Sequence, residues 1–271
     1  MFRSRCDSVA VAVTGPERGG GAPAVTRSIR ILDLLAERRG QTVTLTEIAR
    51  TLGLAKSSVS NLCAALEEGG LVRRTAAGYL LGRRTVELGS AYLSGFDQIR
   101  EFYRICEESD VLRRQLVQIA MLDGARVLYL AVHEGRERFP LSASVGDRYP
   151  ASATAVGTVL LSELSPERVA ALYWDPREFV GFTERSTSTI AQLQAKLAAT
   201  RERGYALDEG EVHASVLGVA VLVPGSGSGS PSFGLGVSIV HPTGAAEEQD
   251  TVLSALRDAA ARLTRPRLLS A

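Results

Sequence analysis

Two stretches of this 271-residue chain carry side chains capable of chemistry. The first is the run DEGEVH, in which Asp208, Glu209, Glu211 and His213 could share a proton or hold a divalent cation. Their spacing matches no helical metal motif, and an acidic, solvated loop accounts for them without any ligand. The second lies in TLTEIARTLGLAKSSVSNLCAALEEGGLVRR, where Lys56, Ser57, Ser58, Ser60 and Asn61 follow one another. It has no histidine and one lysine, and so offers almost nothing that an enzyme could use. What it offers is a series of donors suited to phosphate oxygens and base edges. His133 and His241 stand alone at the ends of apolar runs and read as surface histidines. GSGSG is followed by neither a lysine nor a helix start, which excludes a phosphate loop and leaves a flexible hairpin connection. Cys6, Cys63 and Cys106 are too far apart for a zinc knuckle or a disulfide framework, and fit a reducing cytoplasm. The chain thus reads as a non-enzyme, with no catalytic set, no metal and no cofactor.

The donors of the second stretch must be held by short helices. An apolar stripe at Ile29, Ile31, Leu32, Leu34 and Leu35 predicts a helix over 26–38, stopped by Gly40. Thr44 and Glu47 form a T-x-x-E capping box opening a second helix that ends at Gly53. A third covers 55–68 and stops at Gly69-Gly70. Ala49, Gly53 and Val59 have the spacing of a helix-turn-helix: a small residue at the crossing, a left-handed turn, and an apolar plug. With these three turned inward, the donors sit on or near the outward face of the third helix's first half. Its amide groups and positive dipole end also favour phosphate. Strands at 71–74 and 79–81 place Arg73 and Arg74 on a hairpin, with Arg83 and Arg84 behind it, a basic wing. Residues 23–96 hold ten basic and six acidic side chains, residues 97–271 eighteen and twenty-two. The positive excess belongs to the part that carries the donors.

The remainder predicts helices over 84–96, 99–113, 153–163, 166–173, 190–203 and 245–263. Strands are expected over 115–122, 126–133, 138–144, 217–223 and 233–241. Strands with helices grouped between them indicate α+β with an antiparallel sheet. Residues 1–22, rich in Gly and Arg, read as a disordered tail that folding does not need. No apolar run approaches the ~20 residues of a membrane span.

VTRSIRILDLLAERRGQTVTLTEIARTLGLAKSSVSNLCAALEEGGLVRRTAAGYLLGRRTVELG resembles the winged helix-turn-helix of IclR-type transcriptional regulators. The resemblance continues through YPASATAVGTVLLSEL, RGYALDEGEVHASVLGVAVLVP and GLGVSIVHPTG, and so covers nearly everything after residue 22. It implies a winged helix over 23–82, a linker helix over 83–97 and a GAF-like effector domain over 98–271. DNA contacts are expected from Thr46, Lys56, Ser57, Ser58, Ser60, Asn61, Arg73 and Arg74. It also implies a homodimer or dimer of dimers and a repressor whose operator binding responds to a small molecule. Departures stand at Ala55, where proline is usual, at Ser60-Asn61 for His-Arg, at Ser152 for histidine and at Thr158 for lysine.

Alternation along FGLGVSIV puts Phe233, Leu235, Val237 and Ile239 on one face and Gly234, Gly236, Ser238 and Val240 on the other. LGVAVLV behaves likewise, with Gly218, Ala220 and Leu222 on the small side. Glycines gathered on one face mark the close approach of a ligand or a helix. The resemblance favours a ligand, with effector contacts at Ala155, Val156, Asp208, Gly218 and Ser238, and an apolar wall at Val240 suited to an organic or aromatic acid. On that reading the volume missing at Gly218, Gly234, Gly236 and Ser238 belongs to the effector. The rival functions are a ligand-sensing signalling module, which would leave the basic wing without a purpose, and a metal-dependent enzyme built on the DEGEVH run.

Overall fold

The computed structural model describes residues 22–135, 143–225, 227, 229–240 and 245–264. The chain divides into two compact units between Gly95 and Phe96.

The first unit holds α1 (Pro23–Glu37), α2 (Leu45–Leu52), α3 (Lys56–Glu68), β1 (Val72–Thr75), β2 (Gly78–Leu81) and α4 (Arg84–Leu93). Ile31, Leu34 and Leu35 of α1 meet Ile48, Val59, Cys63 and Leu66 in one core, closed below by Val72 and Tyr79. The capping box forms as expected: Glu47 N–H donates to Thr44 Oγ1 at 3.2 Å and Thr44 N–H to Glu47 Oε2 at 2.9 Å. The turn between α2 and α3 depends on Gly53, whose φ of 66° and ψ of 34° are left-handed and costly for a residue with a Cβ. The hairpin of β1 and β2 gains a third edge, because Val43 and Tyr79 exchange backbone hydrogen bonds of 3.0 and 2.9 Å. The helix expected over 84–96 ends at Leu93, and none of its side chains is buried; Val86 is 73% exposed and Leu88 53%.

The second unit begins with α5 (Asp97–Glu108), shorter than the 99–113 expected, with a 3-10 turn at Leu112–Arg114. There follow β3 (Leu116–Asp123), β4 (Arg126–His133), β5 (Arg148–Pro150), α6 (Ala155–Leu161), α7 (Pro166–Leu172), α8 (Ile190–Arg203), β6 (Ala206–Glu209), β7 (Val216–Val223), β8 (Phe233–Val240) and α9 (Ala245–Thr264). The strands form one antiparallel sheet in the order β5-β4-β3-β8-β7-β6, and the protein is α+β as the sequence indicates. Most of the strand expected over 138–144 lies outside the described residues, as do residues 1–21 of the expected tail. The pairing of β7 with β8 makes the segment between Val223 and Phe233 a hairpin connection.

The sheet buries both faces differently. Phe233, Leu235, Val237 and Ile239, with Leu217, Val219, Val221 and Val223, form a bulky layer where β7 and β8 meet α9, and α5 packs on β3 and β4. The other face is built of Ala120, Ala206, Ala220 and the glycines, and α6 lies directly on it.

Candidate functional site

The first candidate surface is the N-terminal half of α3 beside the β1–β2 hairpin. Ala49 and Val59 are buried and hold α2 against α3. Lys56, Ser57, Ser60 and Asn61 are exposed and Ser58 half-buried, as their periodicity requires; Thr46 on α2 is exposed too. Helix α3 has Ala55 at its N-cap, and no side chain caps it. Its first-turn amides are therefore left to water or an external acceptor, and the dipole favours an anion there. Arg73 and Arg74 are exposed on β1, opposite Leu80 and Tyr79, and the Arg74 guanidinium stands 6.0 Å from the Tyr79 ring centroid. The hairpin thus carries a basic edge within the same compact unit as the helix.

The second candidate surface is the small-residue face of the sheet. Cross-strand register places Asp208 opposite Gly218 and Gly218 opposite Ser238, so the three form a row on one face. Ala155, at the start of α6, lies over that row: a Cβ on Gly218 would come within 3.1 Å of the Asp208 Cβ and 3.2 Å of the Ala155 Cβ. Four of the five expected effector residues are thus gathered around one point. Val156 is turned elsewhere. A Cβ on Gly234 would meet the Val156 carbonyl oxygen at 2.6 Å, and one on Gly236 the Val156 Cγ1 at 2.7 Å. The volume missing at these two glycines is filled by α6, and that at Gly218 by Ala155 and Asp208. This corrects the expectation that the glycines open a space for a ligand. Their physical role is close helix–sheet packing, and Ser238, half-buried, is the accessible end of the row.

The DEGEVH run is not a solvated loop. Asp208 and Glu209 belong to β6, and Asp208 and Glu211 are only 6% and 7% exposed. Glu211 N–H donates to Asp208 Oδ1 at 2.6 Å. The Glu211 carboxylate is ion-paired with Lys196 and accepts from Thr187 N–H at 2.9 Å and Thr187 Oγ1 at 2.7 Å. Lys196 also donates to the Ser152 carbonyl at 2.9 Å. Burial pushes the Asp208 carboxyl up to about 7, with the Glu211 charge adding to it; the Glu211 amide, Lys196 and the Gly210 amide pull the other way. Lys196 and Thr187 were missed from sequence. The one available signal is that Lys196 is one of only two lysines in a chain otherwise using arginine. His133 departs from expectation as well: it is buried, with Nδ1 3.7 Å from Glu107 Oε1. His241 lies outside the described residues. Among the described residues no group of three or more His, Cys, Asp and Glu side chains could hold a metal ion.

Comparison with known proteins gives both units a relationship. Residues 24–76 match the model of the IclR helix-turn-helix domain. Residues 90–265 match that of the C-terminal part of bacterial IclR transcriptional regulators. The HTH-type transcriptional regulator XynR of Escherichia coli is 31% identical over 202 residues, covering 74% of this chain and 79% of that protein. The structure of the Agobacterium tumefaciens repressor BlcR is 30% identical, with a TM-score of 0.57 over 90% of this chain and 96% of that one. An IclR homologue from Microbacterium hydrocarbonoxydans, solved in complex with 4-hydroxybenzoate, shares the fold at a TM-score of 0.74 and 23% identity, covering 89% of this chain and 97% of that one.

Proposed function

Since the chain belongs to the IclR family of bacterial transcriptional regulators, we propose that it reads an operator through α3 and the β1–β2 wing, and that a small organic acid in the second unit governs this binding. The observation that carries the DNA-reading surface is the uncapped, donor-lined first half of α3 in the same unit as exposed Arg73 and Arg74. Lys56, Ser57, Ser58 and Ser60 position the helix on phosphate, Thr46 adds a contact from α2, and Asn61 reads a base edge. Family membership favours a regulator over a catalyst. The BlcR relative is named a repressor, which supports repression here.

The effector would lie against Asp208, Gly218 and Ser238, with Ala155 as the wall above and Val156, turned toward Gly234 and Gly236, behind it. The 4-hydroxybenzoate complex of the Microbacterium homologue supports an aromatic acid as its class. With the glycines already packed by α6, such a ligand enters from the Ser238 end and displaces or tilts the start of α6. Exposed Val25, Ile29, Val86 and Leu88 on α1 and α4 give a second copy something to cover, which supports a homodimer or dimer of dimers. A regulator meets its DNA in the cytoplasm, and among the described residues no helix is long and apolar enough to cross a membrane.

The test is a titration of aromatic and aliphatic acids, 4-hydroxybenzoate included, into a preformed protein–DNA complex, with thermal unfolding of the free protein in parallel. An acid that both raises the melting temperature and changes DNA affinity supports the reading. Acids that stabilise the protein and leave DNA affinity unchanged would contradict regulation through this site, because a ligand acts only by its preference between two states.

A further inference from the structure

We propose that the cavity between α8 and the edge strand β6 binds a small organic anion carrying two or more charges, at a site separate from the Asp208–Gly218–Ser238 row. The cavity measures about 500 Å³ and is lined by Arg185, Lys196 and Arg203, by Glu209 and Glu211, and by Leu207 as an apolar wall. That volume falls in the ordinary range for small-molecule sites. Lys196 and Arg203 are seven residues apart and lie along one flank of α8, while Leu193 and Leu197 bury its other flank.

The donors decide the ligand's chemistry. Lys196 is committed to Glu211 and the Ser152 carbonyl, and Glu211 in turn to Thr187. Neither is open to a metal ion. Arg185 donates to the neutral Glu209 carbonyl at 3.1 Å, and Arg203 donates through Nε to the Tyr205 carbonyl at 2.7 Å with its guanidinium 5.1 Å from the Tyr205 ring centroid. Among the described residues neither arginine has a carboxylate partner. Each keeps N–H donors in the planar fork that fits carboxylate or phosphate oxygens, and ring and carbonyl contacts hold the Arg203 fork in place before any ligand arrives. Two forks, with an ion-paired lysine behind them and a leucine wall, fit a polycarboxylate or a phosphate ester better than a monovalent or a neutral ligand.

The experiment is isothermal titration of the full-length chain with citrate and, separately, with inorganic phosphate, at an ionic strength held constant with chloride. Saturable binding of one anion per chain is expected. Arg185→Gln and Arg203→Gln should each weaken it at least tenfold. Glu209→Gln, which removes a repelling charge, should tighten it two- to fivefold. Arg168→Gln, at an exposed position of α7, should leave it unchanged. Arg185 is exposed in a loop, so that variant tests the site even if Arg203→Gln unfolds the helix end. A preference for citrate assigns a carboxylate ligand, and a preference for phosphate a phosphate ester. Absence of saturable binding by either probe, or binding that survives both arginine substitutions, overturns the proposal.

Discussion

Asp208 holds a proton where an ordinary aspartate would have lost it. The folded chain keeps that proton up to about pH 7, whereas the unfolded chain releases it near pH 4. At this site the native state therefore binds more protons than the unfolded one throughout this interval, and the contribution of Asp208 to stability falls as pH rises from about 4 to 7. Asp208→Asn retains an acceptor for the Glu211 amide and cannot ionise. It should match the parent near pH 4 and exceed it by roughly 1–3 kcal/mol at pH 8, measured by urea unfolding at both values. A variant less stable than the parent at pH 8 would show that the Asp208 carboxylate is favoured in the fold. No pattern of residues revealed this. DEGEVH is as acidic as a surface loop; what buries it is the pairing of β6 with β7 and the closure of Thr187 and Lys196 over Glu211, contacts made by residues distant in the chain.

At the scale of elements, period-2 alternation and capping were legible because they act between near neighbours. The Thr44 box, the Gly53 turn and the division of β8 into a bulky and a small face all appear where their residues place them. What lies on the small face was not legible, since a glycine stripe accommodates a helix or a ligand equally. The strand β6 carries no alternating apolar signature, because two of its four residues are acids. The packing of α6 gives a prediction that separates two kinds of crowding. Gly236→Ala collides with a side chain, Val156, while Gly234→Ala collides with backbone. Each should cost about 1–3 kcal/mol in thermal or urea unfolding. Val156→Ala should recover part of the loss at Gly236 and less of that at Gly234. Equal recovery at both would mean that α6 does not sit on the sheet as described.

For the whole molecule, the charge division of the sequence corresponds to a division of labour. The basic excess lies before residue 97, in the unit that holds α3 and the wing. Phosphate contacts supply affinity through counterion release, so Arg73→Ala with Arg74→Ala should weaken binding to all DNA alike. The slope of log affinity against log salt should shrink by roughly one unit per lost contact, about two here. Asn61→Ala should instead alter sequence preference, by ~1–3 kcal/mol at the base pair it reads. The exposure of Asn61 followed from helical periodicity, and that of Arg73 and Arg74 from their place on the hairpin. The operator itself does not follow, because serines position a helix more than they specify its bases, and one asparagine reads a single base pair. The most direct measurement is selection of fragments of the source genome by the full-length protein, run beside the Asn61→Ala variant. A discrete enriched motif is expected for the parent and a changed or relaxed motif for the variant. Enrichment of no motif, or of the same motif with equal strength by both proteins, would contradict α3 as the reading head.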